Sequence, residues 1–377
     1  MTENRREAFL TQLADQRGIS VAQFAKFGFS PDELRQYGAD FIRGRANGIA
    51  ADASPTVRSM VEHLSFGDWV RCHDPRHGQM DPDSRDTDQI LTRAMTSSDF
   101  TASLANTIAE ISGTTFDRTV AGAVNLARPV GVSDFKSTTL ARVGVGTLDT
   151  VADGAAYERL RVTEGQALED AGIEEHGGTI SFSRKVFYGD NAGLLLTTAM
   201  EAGGAQGRTL LTALTSKLES TANLADGRAP FNATDGNLVA AGAAPSTPTL
   251  DEAIQILRGL TNPAGDVVGV GPRFLVVHPA LETVSRGVIN HIWEPGDPAR
   301  VELVVLPWLT DSNAWYLMGD PQVAPALTML HLGQHAGRPF HVEPVRTKAS
   351  SSGVDLAVTA DFAFLWTGRF AVKNPGA

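Results

Sequence analysis

Residues 191–223 read NAGLLLTTAMEAGGAQGRTLLTALTSKLESTAN, which is the longest helical pattern in the sequence. Its apolar stripe consists of Leu194, Met200, Leu210, Leu211, Leu214 and Leu218. With a rise of 1.5 Å per residue, the predicted helix would be on the order of 45 Å long. The glycines Gly203, Gly204 and Gly207 each cost about 1 kcal/mol relative to alanine. We therefore expect them to mark a bend or a close packing contact.

The segment before this helix, residues 134–188, has β-strand character. Short runs rich in β-branched and aromatic residues (138–145, 157–162 and 179–187) alternate with turns rich in glycine and aspartate. Its apolar residues are thinly spread, and a long two-stranded excursion is only marginally stable by itself in water. The segment therefore predicts contact with a neighbouring surface.

Two further helical regions are predicted towards the start of the chain. Residues 1–95 form a helical region whose apolar content is too sparse for an independent core, so we interpret it as an arm or appended segment. A helix is then predicted from Ser97 to Gly113. Its apolar face consists of Phe100, Leu104, Ile108 and Ile111.

The part of the chain after residue 223 mixes helix and strand patterns. Helices are predicted at residues 250–260 and 279–289, and no internal repeat is visible. The strands are predicted at residues 273–277, 301–306, 314–318, 340–345, 354–359 and 362–372. This mixture predicts an α+β fold.

Composition excludes several classes of protein. The chain has 377 residues and a net charge of −11, which argues against nucleic-acid binding through a basic face. Its single cysteine, Cys72, excludes a disulfide framework and a multi-cysteine zinc site. The sequence contains no apolar run long enough for a membrane helix. We expect a soluble protein made in a reducing compartment.

Three histidines, His331, His335 and His341, are the best metal-ligand candidates. Two histidines four residues apart can share one face of a helix, as in zinc proteases. The catalytic glutamate of that motif is missing, however, and Gly333 and Gly337 disfavour a helix. We interpret the histidines as loop or strand residues, keep a metal site as an alternative, and expect no cofactor.

Two short patterns have a simpler interpretation as turns. Ser133 and Lys136 fit the spacing of Ser–Lys hydrolases, but the companion motifs of those enzymes are absent. Gly269-Val-Gly271 precedes a predicted strand, whereas a dinucleotide-binding loop follows one. No set of nucleophile, base and oxyanion donors is recognisable. The sequence therefore predicts that the protein has no catalytic residues and is not an enzyme.

The order of these parts resembles the HK97-type major capsid protein of tailed phages, and several strings are similar to those of the Mu-like major head protein family. The strings are spread over residues 96–377, so chance similarity is a poor explanation. They are Thr96-Ser-Ser-Asp-Phe100, Leu104-Ala-Asn106, Leu224-Ala-Asp-Gly227, Phe231-Asn-Ala-Thr-Asp-Gly-Asn-Leu238, Pro272-Arg-Phe-Leu-Val-Val-His-Pro-Ala-Leu-Glu282, Trp315-Tyr-Leu317 and Asp320-Pro321.

The resemblance implies an HK97-like capsid fold and a division of the chain. Residues 1–95 would be a helical N-terminal extension, either scaffold-like or a retained structural arm. The other parts would be an N-arm (96–132), an E-loop β-hairpin (133–188), the spine helix of the P-domain (189–223), the A-domain (224–321) and a return to the P-domain sheet (322–377).

The resemblance also implies a function. The chain would assemble with itself into hexamers and pentamers of an icosahedral shell that encloses double-stranded DNA, contacting the DNA non-specifically. A scaffold or maturation protease and a portal would be partners during assembly in the host bacterial cytoplasm, and no membrane would be involved. The alternatives are a soluble metallohydrolase using the three histidines, or a minor head or decoration protein.

One family property can be examined in the sequence. Some HK97-type shells join an E-loop lysine covalently to an asparagine of a neighbour. This chain has no lysine between Ser137 and Arg184, and Lys136 and Lys185 lie only at the base of the excursion. We predict no such cross-link.

Overall fold

The computed structural model describes residues 33, 36–71, 73, 95, 97–145, 150–151, 153, 162–189, 191–333, 339–345 and 353–376. Cys72, most of the predicted strand 157–162 and the first 32 residues of the predicted N-terminal extension lie outside the described residues.

The described residues form both helices and strands, which confirms the α+β class. None of these helices is both long enough and apolar enough to cross a bilayer. The α-helices are α1 Gly38–Asn47, α2 Pro55–His63, α3 Phe66–Arg71, α4 Ser98–Val120, α5 Arg184–Tyr188, α6 Ala192–Glu219, α7 Thr247–Gly259 and α8 Glu282–Ile292. The strands are β1 Ala127–Val132, β2 Thr138–Thr139, β3 Arg142–Val145, β4 Val162–Gly165, β5 Asp170–Ala171, β6 Glu174–Ser183, β7 Pro272–Val277, β8 Glu302–Val305, β9 Trp315–Gly319, β10 Leu327–Leu332, β11 Phe340–Pro344, β12 Gly353–Trp366 and β13 Ala371–Asn374.

Two of the helices begin with capping residues that the sequence provides. The Ser54 hydroxyl accepts a hydrogen bond from the backbone N–H of Val57 at 3.2 Å, and Pro55 occupies the first position of α2. In α7, Ser246 and Thr249 form a reciprocal capping box. Such side chains satisfy backbone N–H groups that have no partner inside the helix.

The chain divides into two compact units. The first is drawn from residues up to 119 together with 176–207 and 340–360. The second is drawn from residues 120–175, 208–339 and 361–377.

The core of the first unit contains residues from α1, α2 and α3 together with α4, α5, α6, β11 and β12. Its centre is a chain of aromatic rings. Phe66 stacks on Trp69 with ring centroids 5.5 Å apart, and Trp69 meets Phe100 edge-on at 5.6 Å. Phe100 in turn meets Phe187 at 5.6 Å. Residues 38–70 are therefore packed into a core that they share with α4 and α6.

Helix α4 does not end at Gly113 as predicted; it continues to Val120. The apolar face of the helix extends to Phe116, which is buried and packs on Phe340 with ring centroids 4.7 Å apart. This contact with a distant part of the sequence outweighs the modest helix-breaking tendency of one glycine.

Helix α6 is the long helix predicted at residues 191–223, with slightly narrower bounds. Its glycines mark a close packing contact rather than a break, because a Cβ atom at Gly203 would lie 2.1 Å from the carbonyl oxygen of Ser112 on α4. The Ser112 hydroxyl donates a hydrogen bond to the Ala199 carbonyl at 2.8 Å. The absence of a side chain at Gly203 lets the two helix backbones approach.

The second unit contains a four-stranded sheet in the order β13-β9-β7-β8. β7 runs parallel to β8 and antiparallel to β9, and β9 is antiparallel to β13. All five residues of β9 are buried, as expected for a strand inside a sheet covered on both faces. Residues of α7 and α8 lie in the same apolar core as these strands.

Strand β12 contributes to both units. Residues 362–366 pair antiparallel with β10, which pairs in parallel with β1 in the second unit. Residues 356–360 pair antiparallel with β11 in the first unit. The two strands predicted at 354–359 and 362–372 are thus one long strand, β12, followed by the short strand β13.

Candidate functional site

The excursion between β1 and β6 forms two small ladders. β2 pairs antiparallel with β5, and the side-chain hydroxyl of Ser137 donates a hydrogen bond to the carboxylate of Asp170 beside this pair. β3 pairs antiparallel with β4 over four residue pairs, from Arg142–Gly165 to Val145–Val162. In the sheet topology of the described residues, β3 and β4 pair only with each other. Each therefore has an edge available for a further contact.

One face of the β3–β4 hairpin is already covered. We call it the glycine face, because Gly144 and Gly165 lie on it. A Cβ atom at Gly144 would be 2.7 Å from the backbone nitrogen of Ala264, and one at Gly165 would be 2.9 Å from Pro263. The loop at residues 263–264 thus approaches so closely that only glycine fits.

The opposite face is apolar and exposed. Because side chains alternate along a strand, Val143 and Val145 point away from the glycine face, as do their cross-strand partners Glu164 and Val162. We call these four residues the valine face. Val143, Val145 and Val162 are 56%, 46% and 61% exposed. Cross-strand pairs of β-branched side chains usually stabilise a sheet by packing under a covering layer. The Val145–Val162 pair has no such covering layer among the described residues.

An open cleft of about 600 Å³ borders the hairpin and extends this apolar surface. It is lined by Leu140 and Val143 of the excursion and by Val268, Val323 and Phe370. Val323 is 75% exposed. Clustered apolar exposure of this kind is typical of surfaces that bind another protein. The valine face is therefore our candidate functional site.

A cluster of charged side chains lies in the same unit as the hairpin. The guanidinium of Arg369 is nearly completely buried; it lies 2.7 Å from an Asp226 oxygen and 3.0 Å from an Asp235 oxygen. Arg228 lies 2.6 Å from Asp235 and 3.2 Å from Asp226. Arg369 also donates to the carbonyl oxygen of Pro230 at 2.9 Å. These contacts join residues 226–235 to the segment before β13.

The ion pairs determine the protonation of Asp226. Burial alone would raise the pKa of this carboxyl group. The hydrogen bond and charge of Arg369, together with the backbone N–H and charge of Arg228, outweigh burial and lower the pKa below its ordinary value. Asp226 therefore stays ionised well into the acidic range.

Arg142, the first residue of β3, faces the same cluster without a direct partner. The residue is half-buried. Burial lowers the pKa of its guanidinium, the charge of Arg369 lowers it further, and the charges of Asp226 and Asp235 only partly oppose this. No hydrogen bond or ion pair of the Arg142 guanidinium is present in the part of the chain that the structure describes.

The two lysines at the base of the excursion lie on the surface. Lys136 is strongly exposed and lies 3.4 Å from the Asp134 carboxylate in the bend that contains Ser133. The Ser133–Lys136 pattern is thus an exposed turn, as predicted. Lys185 is exposed on α5.

The histidines of the metal-site alternative lie on strands where the structure describes them. His331 is buried on β10, and its Nδ1 lies 3.2 Å from the carbonyl oxygen of Leu332. His341 is on β11, with Nε2 2.7 Å from the Thr359 hydroxyl. His335 lies outside the described residues. Among the residues that are described, no group of three or more His, Cys, Asp or Glu side chains could hold a metal ion.

The sequence analysis did not identify several residues of this region. The cluster joins Asp226 to Arg369 across 143 residues, and no local pattern could indicate that pairing. The glycine face could have been predicted from the sequence, since a glycine inside a strand often marks a close backbone approach. Gly144 within the run 138–145 is such a glycine.

Comparisons with known proteins show which family and which solved structures this chain is similar to. A family model described as phage capsid protein matches residues 168–374, which is more than half of the chain. The solved structure of a virus-like particle from Pyrococcus furiosus is similar at 11% identity and a TM-score of 0.47, covering 71% of this chain and 96% of that chain. The holo-SrpI encapsulin complex from Synechococcus elongatus matches at 11% identity and a TM-score of 0.43, covering 69% and 89% of the two chains. A structure from Mycobacterium phage Cain matches at 16% identity and a TM-score of 0.42, covering 66% and 84%. No curated protein matches the sequence.

Proposed function

This chain belongs to the phage capsid protein family, and from that membership we propose that it is the major head protein of a tailed phage. Copies of the chain associate into hexamers and pentamers of an icosahedral shell that encloses packaged double-stranded DNA. The role is structural rather than enzymatic, and its location is the virion capsid after assembly in the host cytoplasm.

The observation that carries this proposal is the exposed valine face. Burying apolar surface contributes about 25 cal/mol per Å², so covering a half-exposed valine contributes roughly 1 kcal/mol. Three such valines would contribute about 3 kcal/mol to each contact, or roughly a hundredfold in the association constant. A second copy of the chain that covers Val143, Val145 and Val162 would gain this free energy.

The parts of an HK97-type subunit supply a consistent labelling. We propose that residues 133–188 are the E-loop, which lies across an adjacent subunit, and that residues 189–223 contain the spine helix. In this proposal residues 96–132 are the N-arm, 224–321 the A-domain at the capsomer axis and 322–377 the return to the P-domain. The same proposal makes residues 1–95 the N-terminal extension, of which the described segment 38–70 shares a core with α4 and α6.

The proposed contacts are heterologous, because the valine face of one copy meets a different surface of the next. Heterologous contacts form closed rings when the rotation between neighbours permits it. Each contact is weak, but every subunit makes several, so the whole shell is stable while single mistakes remain reversible.

The charge of the chain is compatible with a container for DNA. A net charge of −11 disfavours general attraction to phosphates. The DNA would therefore be enclosed and touched non-specifically, with a portal and a scaffold or maturation protease as assembly partners.

Assembly of the purified chain tests this proposal. The wild-type protein should sediment as particles far larger than 40.0 kDa, and negative-stain microscopy should show closed shells. The triple variant Val143→Thr, Val145→Thr, Val162→Thr keeps β-branched side chains but reduces apolar surface. It should require at least about tenfold more protein for half-assembly.

The matched control is Val284→Thr on α8, because Val284 is 49% exposed but does not belong to the valine face. This variant should assemble within about twofold of wild type. A wild-type chain that remains monomeric at high concentration, alone and with its scaffold, would refute the proposed function. Normal assembly of the triple variant would refute the role of the valine face alone.

A further inference from the structure

Arg142 has a cationic side chain that no residue in the described part of the subunit neutralises. It is half-buried at the start of β3 and, within the described chain, makes no hydrogen bond or ion pair. Partial removal of a charge from water is unfavourable unless a partner of opposite charge is present. An unpaired guanidinium in this setting indicates a missing partner.

The nearby carboxylates are already engaged. Asp226 contacts Arg369 at 2.7 Å and Arg228 at 3.2 Å, and Asp235 contacts Arg228 at 2.6 Å and Arg369 at 3.0 Å. These four charges balance one another. Arg142 therefore adds one surplus positive charge to the cluster.

A cleft of about 270 Å³ opens at this surplus charge. Its lining is mainly polar and includes Arg142, Thr261, Asn262 and Thr234. The hydroxyl and amide groups can form hydrogen bonds with an anionic group in the cleft, and the guanidinium matches the two oxygens of a carboxylate.

We propose that Arg142 binds a side-chain carboxylate from a second copy of this chain, so that the polar cleft is a specificity element of the shell contact. This inference rests on the proposed function, because it requires copies to meet at the excursion. A second copy can supply this carboxylate because the chain has an excess of acidic residues, 43 against 32 basic ones. Position supports the same source, because Arg142, although it lies on the glycine face, lines the cleft of about 600 Å³ that Val143 also borders.

A DNA phosphate fits this cleft less well than a carboxylate. The cluster offers one surplus positive charge, whereas a DNA backbone brings one negative charge with every phosphate, so Arg142 alone cannot balance it. A carboxylate on a protein side chain brings one negative charge, which the surplus charge of Arg142 can balance.

The test compares Arg142→Met with Arg258→Met, which removes the same charge from an exposed position on α7 that lines neither cleft. Each variant is purified as the full chain, with nuclease treatment to remove DNA. Two quantities are measured: the urea midpoint of the unassembled subunit and the protein concentration for half-assembly. Arg142→Met should leave the urea midpoint unchanged or raise it, because it removes an unpaired charge. It should raise the half-assembly concentration roughly tenfold, and Arg258→Met should change it less than about twofold.

Different results would contradict the Arg142 assignment and the proposed function. A lower urea midpoint for Arg142→Met would show that the guanidinium acts inside its own subunit. Wild-type assembly by Arg142→Met, or a defect that is seen only when DNA is present, would also overturn the carboxylate assignment. Failure of the wild-type chain to assemble would instead refute the proposed function itself.

Discussion

Helix α4 and the β3–β4 hairpin both carry a row of apolar side chains, but among the described residues only the row on the helix is covered. Phe100, Leu104 and Ile108 on α4 are fully buried in the aromatic core of the first unit. On the hairpin, the valines at 143, 145 and 162 remain about half exposed. The same chemistry thus stabilises the subunit in one region and is left unused in the other.

The difference arises because the hairpin uses its other face for packing inside the subunit. The hairpin already packs its glycine face on Pro263 and Ala264. A strand that slipped by one residue would bring its valines to that loop but would lose the close fit of Gly144 and Gly165. No described residue of the chain covers the valine face, and we therefore assign it to assembly.

The largest expected effect comes from truncating a buried residue of α4. Leu104→Ala should lower the free energy of unfolding by about 2–5 kcal/mol, because it removes buried methyl groups and leaves a cavity. Val162→Ala should change the free energy of unfolding of the unassembled subunit by less than about 0.5 kcal/mol. Urea unfolding of both variants measures the contrast. Equal losses would mean that the valine face is covered inside the subunit.

A smaller effect is expected where α4 and α6 approach each other. Gly203→Ala places a methyl group against the Ser112 carbonyl, so the helices must separate, at a cost of about 1–3 kcal/mol. The same change at Gly287, which has open space around its Cβ position on α8, should instead stabilise the protein by about 0.5–1 kcal/mol. Thermal unfolding would show shifts of opposite sign. Two shifts of the same sign would contradict the close approach.

The helical part of this comparison was predictable from local sequence. The positions Phe100, Leu104, Ile108 and Ile111 repeat with the helical period, so their shared face follows from four neighbouring turns. The end of α4 was predicted wrongly at Gly113, because the helix is extended by Phe116 packing on Phe340. A contact between residues so distant in sequence leaves no trace in a local pattern.

The β-strand character of the excursion was predictable from the sequence, but which face of the hairpin is covered was not. Which face is covered depends on Pro263 and Ala264, which lie far along the chain from β3. The surplus charge at Arg142 depends on Arg369, equally distant in sequence. Sequence reasoning therefore predicted the β-strand excursion, but not the residues that would specify a partner.

Acid should weaken the charged cluster beside the hairpin before it affects the apolar core. The pKa of Asp226 is lower in the folded state than its ordinary value, so ionised Asp226 stabilises the fold above the ordinary carboxyl pKa. That contribution is lost as the pH falls through the folded pKa. Asp226→Asn should therefore flatten the decline of unfolding free energy at pH values below the ordinary carboxyl pKa, relative to wild type.

The control for this pH dependence is Asp251→Asn, which removes an exposed carboxylate on α7 and should leave the profile close to that of wild type. The free energy is measured by urea unfolding at each pH. An unchanged profile for Asp226→Asn would mean that the cluster does not couple the fold to acid.

The smallest expected effect is the absence of covalent bonding between copies. No lysine occurs between Ser137 and Arg184, so the part of the excursion that would reach a neighbour lacks the amine needed for an isopeptide bond. Heated particles should therefore migrate as a single subunit band on a denaturing gel, whereas a glutaraldehyde-treated sample should give a ladder. If untreated particles gave a ladder that disappeared in Lys136→Arg or Lys185→Arg, an amine at the base of the excursion would form the bond. The shell contact would then depend on covalent chemistry as well as on the valine face.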